Sequence, residues 1–348
     1  MGGFLMDHMA GRVRFVVTGM LLILLFLPFS CAAAAEKADS SVRYENEELG
    51  ISLALPTGFR LVKLEPAGAI YERERDGVRI LVHVEDWRSR GTLPPHFYRM
   101  VPSVYADKIK KEKQKRYKVL RAEPMEIQGM PVLRVKWFDP GPKVYREDYR
   151  WAMPGRMFLL RVDSKTKEGL TERERKALMD SLSMQPIFTR HAVASEHVSY
   201  ALPSSCYVFP EAKHDEEHAF LAMDENMLAG VAIPARRKAG YALPADLSDL
   251  TEEGKAETEA FLRKDLQDAA PQARNVQVDF GMTKNQVPYV RVSFDIGSEG
   301  DGGTDSESVS YFIQHNKAVL SFDYVYPKAK AELVRALVQK SVDSIVLE

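Results

Sequence analysis

Two cysteines in 348 residues are too few for a disulfide scaffold. One of them, Cys31, lies in a segment that reads as export machinery. Its removal leaves Cys206 as the only thiol and excludes an intramolecular disulfide even in an oxidising compartment. Also absent are G-x-S-x-G, the P-loop and G-x-G-x-x-G, the signatures of serine hydrolases, phosphate-binding NTPases and dinucleotide-dependent enzymes. The apolar run over residues 15–29 is about 15 residues long, short of the ~20 that a spanning helix needs. Burial must therefore hold the fold, and 45% hydrophobic residues suffice for two domains of ordinary size.

Arg12 and Arg14 precede that run, and Ala32 to Ala35 follow it before Glu36. A charged n-region, an apolar h-region and an A-x-A site predict a signal peptide over residues 1–35, and with it a periplasmic or cell-envelope protein. Counting on through the alanines gives an uncleaved anchor as the alternative. Cys31 offers a third reading, the acylated first residue of a lipoprotein. Leu27 stands one place too far upstream for a lipobox, however, and Pro28 and Phe29 fit it poorly, so a cysteine discarded with the signal is the simpler expectation.

What is present, past residue 41, is a repeat. ISLALP (51–56) returns as VSYALP (198–203), PVLRVKWF (131–138) as PYVRVSFD (288–295), and YRWAMPGRMFLLRVD (149–163) as SYFIQHNKAVLSFDY (310–324). ALMDSL (177–182) returns as KSVDSI (340–345), and the offset grows from 147 to 163, so the second copy has longer loops. Leu133, Val135 and Trp137 alternate as Val290, Val292 and Phe294 do, which predicts strands with one buried face. Hairpin turns are expected at Pro154-Gly155, at His315-Asn316 and, as a type I′ turn, at Asp76-Gly77. Helices are expected around 102–116 and 252–269, with Pro102 in a first turn or at a kink, and at the end of each copy, over about 171–184 and 333–345.

Grouped strands with few helices predict an α+β architecture: two tandem modules, 42–188 and 196–348, each an antiparallel β-sheet flanked by helices. GISLALPTGF (50–59), with its L-P and G-F, and the D-S-L or D-S-I ending of the last helix resemble the PsbP-like superfamily, which includes bacterial envelope proteins of the DcrB and LpqN kind. The resemblance covers both halves. The second copy departs from it, since PSSCY (203–207) replaces PTGF and either Cys206 or Tyr207 must stand where Phe59 does. The resemblance implies accessory or binding proteins with no shared catalytic site, so it carries over no functional residue.

Four stretches invite chemistry. HDEEH (His214 to His218) has two histidines four apart, a zinc-binding spacing on a helix but not on the loop expected here. The acidic loop 295–307 gathers Asp295, Glu299, Asp301, Asp305 and Glu307, oxygen ligands of the calcium type without the EF-hand spacing. SKTK (164–167) matches S-x-x-K, in which Lys167 would activate Ser164, but its companion motifs are missing. His83 reads as a strand residue, and Cys206 as a small buried hydrophobe with no local cation to activate it. No catalytic, cofactor-binding or metal-binding residue is assigned, and no cofactor is expected. A metal-binding protein or hydrolase using 295–307 or 214–218 stands as the alternative function.

The near-neutral total of −1 hides a split. Residues 41–190 hold 30 Lys and Arg against 21 Asp and Glu, and residues 191–348 hold 15 against 25, a basic and an acidic module. Lys108, Lys110, Lys111, Lys113, Lys115 and Arg116 concentrate the positive charge at one helix end. An anionic lipid surface, an envelope protein partner, or docking of the two modules on each other would each use it. Nucleic acid is not expected of an exported chain whose basic run has no aromatic interleaving. The expectation is an exported, non-catalytic envelope protein acting as a binding or accessory module.

Overall fold

Alternation along ISLALP sends Ile51, Leu53 and Leu55 into the interior, where each is at most 2% exposed, and leaves Ser52 and Ala54 half-buried on the opposite side. Fully burying one such side chain contributes about 1.5–3 kcal/mol. The computed structural model describes residues 42–90, 95–113, 117–209, 218–232, 241–297 and 305–348; the expected signal peptide, with Cys31, lies outside the described residues.

The first module runs β1 (Arg43–Asn46), β2 (Ile51–Ala54), β3 (Phe59–Glu65), β4 (Gly68–Arg73), β5 (Val78–Asp86), α1 (Pro95–Lys113), β6 (Lys118–Ile127), β7 (Met130–Asp139), β8 (Val144–Met153), β9 (Arg156–Ser164), α2 (Glu172–Asp180) and β10 (Ser183–Met184). The second runs β11 (Phe188–Val193), β12 (Val198–Pro203), β13 (Tyr207–Val208), β14 (His218–Met223), β15 (Leu228–Ala232), α3 (Glu252–Ala269), β16 (Arg274–Met282), β17 (Pro288–Ile296), β18 (Ser306–His315), β19 (Ala318–Pro327), α4 (Ala331–Asp343) and β20 (Val346–Leu347).

The two sheet orders are the same. A seven-stranded sheet β3-β4-β5-β9-β8-β7-β6 and a three-stranded sheet β1-β2-β10 recur as β13-β14-β15-β19-β18-β17-β16 and β11-β12-β20. The fold is thus two tandem α+β modules, each built on an antiparallel sheet, as the alternation and grouping of strands require. In the first module α2 and the small sheet cover one face of the large sheet, joining Leu53, Val82, Trp151, Leu160 and Leu178 in one core. α1 covers the β6–β7 end of the other face through Ala106 and Ile109 against Leu133, Val135 and Trp137. α4 and α3 do the same in the second module.

Register matches the small sheets residue for residue, while in the large sheets Arg150 answers to Phe312 and Arg156 to Ala318, one place on from the pairing of the two sequence stretches. Ser52 opposes Ser183 as Ser199 opposes Val346, and Leu55 N donates to Val42 O (2.8 Å) where Leu202 opposes Thr189. Leu55 and Leu202 therefore hold the same place. The D-S-[LI] motif gains a reason: Ser181 and Ser344 are the C-caps of α2 and α4, and their hydroxyls accept the backbone N–H of Ala54 (3.1 Å) and Ala201 (2.7 Å). Gln128 and Asn285, in equivalent turns, donate to the last carbonyls of the same helices, Met179 O (2.9 Å) and Asp343 O (3.2 Å), and Asn285 also to Ile345 O just past α4 (2.9 Å). Thr171 and Glu174 start α2 with a capping box.

Three local expectations shift. α1 begins at Pro95, so Pro102 lies inside it rather than in its first turn. The ring is buried, and apolar contact offsets a lost intrahelical bond worth up to ~3 kcal/mol. The second module's hairpin turns at Asn316-Lys317, one residue later than expected, with φ of 50° and 64°, a type I′ turn. At Asp76-Gly77 only Gly77 has positive φ, so the turn is not type I′ but a four-residue loop closed by Gly77 N to Arg73 O (2.9 Å). Asp76 is drawn back onto Arg73 (2.7 Å) and the Val78 amide, which fixes that longer loop.

Replacing Ser181 or Ser344 by alanine leaves a strand N–H and a helix end unmatched. Each change is expected to lower stability by about 1–2 kcal/mol, and the two to add, since they act in separate modules. Denaturant unfolding checks this, and a shift below about 0.5 kcal/mol for both would show that the caps are incidental.

Candidate functional site: the cleft between the modules

The Pro154-Gly155 turn between β8 and β9 lies against the start of the second module. Gly155 has φ +74°, and a Cβ there would stand 2.7 Å from Ser204 Cβ and 3.0 Å from Ile187 Cδ1, so only glycine allows the approach. Ser204 is held in place by its N–H on Ile187 O (2.8 Å) and by its hydroxyl 2.7 Å from that of Thr189. Beside this contact a cleft of about 430 Å³ opens between the modules. Met130, Pro131 and Met153 wall one side, Pro186 the joint, and Leu333 and Leu337 of α4 the other.

The polar groups of the cleft are matched with one exception. Asp224 accepts the amides of Asn226 (2.7 Å) and Met227 (2.8 Å) and the Ser205 hydroxyl (2.7 Å), so it serves its own turn. Glu225 takes Arg99 of α1 at 3.0 Å. Arg156, first residue of β9, is 5% exposed; its Nη1 donates to Leu49 O, its Nε has no partner, and no carboxylate among the described residues pairs with it. Burial pushes its pKa down to about 10, so it stays charged at neutral pH.

Two comparisons show how unusual this is. Arg73 is equally buried, at 3%, but meets Asp76 and Glu174; burial works against its charge, the two carboxylates outweigh it, and its pKa is raised. Asp148, wholly buried, accepts Arg161 Nε (2.7 Å) and Arg150 Nη2 (2.8 Å), which overcome burial and hold its pKa down. Arg156 has no such partner. Its counterpart in the second module, at the head of β19, is Ala318, so the fold itself does not need an arginine there.

The residues singled out in the sequence do not converge on this cleft. His214 to Glu217 lie outside the described residues, and His218 opens β14. Residues 298–304 of the acidic loop are also outside them, while Asp295 takes Lys328 (2.6 Å) and Glu307 takes Arg335 (2.6 Å). No group of three metal-ligating side chains occurs among the described residues. Ser164 is buried and its hydroxyl accepts the Thr166 amide (3.0 Å), while Lys167 is exposed. His83 sits on β5 with Nε2 3.5 Å from Glu85.

Lys108, Lys110 and Lys111 are exposed on α1, which Lys113 closes, and Lys115 and Arg116 lie outside the described residues. Cys206 is 2% exposed in the second core, where Phe59 sits in the first, and Tyr207, opposite Met223, takes the place that Arg60 holds opposite Glu72. Arg156 was not among the candidates. Only part of its signal was available: it shares a strand face with Phe158, Leu160 and Val162, but the two sequence stretches set it against Lys317, and only the ladder shows Ala318 in its place.

No protein-family model matches the chain, and no curated protein matches it. Among solved structures it is similar to cyanobacterial PsbP (CyanoP) from Synechocystis sp. PCC 6803, with TM-score 0.31 and 14% identity over 45% of this chain and 98% of that one. It is also similar to a protein from Bacteroides thetaiotaomicron VPI-5482, with TM-score 0.31 and 6% identity over 80% and 88%. A third is the immunity protein TplEi of the T6SS from Pseudomonas aeruginosa, with TM-score 0.24 and 13% identity over 86% and 94%.

Burial, and after it Asp224, raises the Cys206 pKa, so the thiolate is scarce at neutral pH. The folded chain is expected to resist alkylation at Cys206 at pH 7.5 and to react once unfolded. Rapid stoichiometric labelling of folded protein would mean an accessible, activated thiol.

Proposed function

We propose that this chain is an exported cell-envelope protein that works by binding and not by catalysis, through two PsbP-like modules of the DcrB and LpqN kind. The observation that carries the reading is the cleft: a recess of ligand size, walled by both modules and holding a buried cation with no carboxylate partner among the described residues. The n-region, h-region and alanine-rich site at residues 1–35 support export. Its partner is an envelope protein or an anionic lipid surface, the latter met by Lys108, Lys110 and Lys111. A lipid at Cys31 is the variant in which the modules are tethered.

Docking of the basic module on the acidic one belongs to the same reading, with close packing as its main source. The ion pair Arg99–Glu225 crosses between them with both side chains more than half exposed, a geometry worth about 0–1 kcal/mol. The Gly155 contact is buried and unforgiving.

Two measurements follow. Mass spectrometry of the chain purified from its native envelope is expected to begin at Glu36, or at an acylated Cys31; an intact Met1 in the cytosolic fraction contradicts export. In the purified protein, Arg99→Ala is expected to change stability by less than about 1 kcal/mol. Gly155→Ala, which adds both a left-handed strain and a clash, is expected to cost more than about 1 kcal/mol. The reverse ranking in denaturant unfolding would make electrostatics the glue.

A further inference from the structure

A charge nineteen-twentieths buried without a counter-ion is costly, and proteins retain one mainly where something else supplies the missing partner. Arg156 lines the cleft, its Nε lacks a partner, and the acidic residues nearest across the recess, Asp224 and Glu225, are already bound by their own turn and by Arg99. The unmatched charge facing the recess is thus positive, while the walls are methionine, proline and leucine side chains. Leu333 is 52% exposed and Leu337 lies beside it on the same face of α4, an apolar surface that α4 does not turn to its own core.

On that basis we propose that the cleft binds a small amphipathic carboxylate, its anionic head on the Arg156 guanidinium and its apolar body against Met130, Met153, Leu333 and Leu337. The inference rests on the reading of the cleft as the working surface and gives it a ligand class. A guanidinium suits a carboxylate because it presents several donors in one plane and keeps its charge. A volume near 430 Å³ lies within the ~300–1,000 Å³ of ordinary ligand sites. Binding there supplies the counter-charge that Arg156 lacks in a recess formed only where two modules meet. The second module has Ala318 at the equivalent place, so the described residues do not repeat the cation there.

The test uses the full mature chain and three probes in calorimetric titration: octanoate, 1-octanol and inorganic phosphate. Octanoate is expected to bind at least tenfold more tightly than either of the others, because octanol lacks the charge and phosphate the apolar body. Arg156→Gln is expected to erase the preference of octanoate over octanol. Leu333→Trp, at an exposed position that the fold tolerates, is expected to weaken octanoate at least tenfold without touching Arg156, and so answers if Arg156→Gln does not fold. Equal binding of octanoate and octanol, phosphate binding as tightly as octanoate, no octanoate binding, or unchanged octanoate binding in both variants would each overturn the inference. The mass of the native N-terminus is independent of all these titrations, so export stands or falls separately.

Discussion

At Ser181 and Ser344 one hydroxyl ends a helix and at the same time grips a strand that lies 127 and 143 residues earlier in the chain. Helix C-termini leave carbonyls without donors, and the central strands β2 and β12 run past their two-residue neighbours β10 and β20, which leaves an amide without an acceptor. A serine at the junction meets both needs, and Gln128 or Asn285 meets the remainder from a turn of the large sheet. These contacts join the second strand, the last helix and the central sheet of each module. Without them Leu178 and Val338 would pack on the core with no fixed angle. Burial supplies the bulk of the energy, but it is non-directional; the polar junction decides how the layers sit.

That junction also explains how much of the fold was legible. The Leu-Pro strands and the D-S-L and D-S-I endings were visible as words repeated in order, and strand alternation gave the hairpins and the antiparallel class. The ladder matches the Leu-Pro strands and the helix endings residue for residue and shifts the β8–β9 hairpin by one place against its counterpart. Turn details were less legible, because Asp76 answers to Arg73 and Val78 across the hairpin and not to its dipeptide alone. Pro102 points to a first turn or a kink because local chemistry disfavours it inside a helix; it lies within α1, eighth residue from Pro95, and is buried. The cleft was not legible as a place. Its walls come from two modules and the joint, which no periodicity links, and Arg156 was hidden because the repeated stretches set it against Lys317, whereas the strand ladder sets it against Ala318.

The two modules spend their charges differently. The first places Arg73, Asp148 and Arg161 beneath its surface and matches each. Against α1 and α3 the two sheets carry equivalent hydrocarbon, Leu133, Val135 and Trp137 in the first and Val290, Val292 and Phe294 in the second, but the first adds Asp148 with Arg150 and Arg161 where the second has Ser310, Phe312 and Asp323. Copies that share a topology thus differ in that one adds an ion-pair cluster to this face and the other a further aromatic ring. Arg156 belongs to neither, which is what separates it from the structural arginines around it.

The small sheet β1-β2-β10, repeated as β11-β12-β20, sets the last strand of each module beside its opening pair. A unit whose two ends are neighbours is joined to another by a very short tether, here the three residues between Met184 and Phe188. Such a unit behaves like a bead already pierced for stringing: lengthening the chain by one more copy disturbs no internal strand order, and each new joint brings with it a fresh recess whose lining is free to diverge.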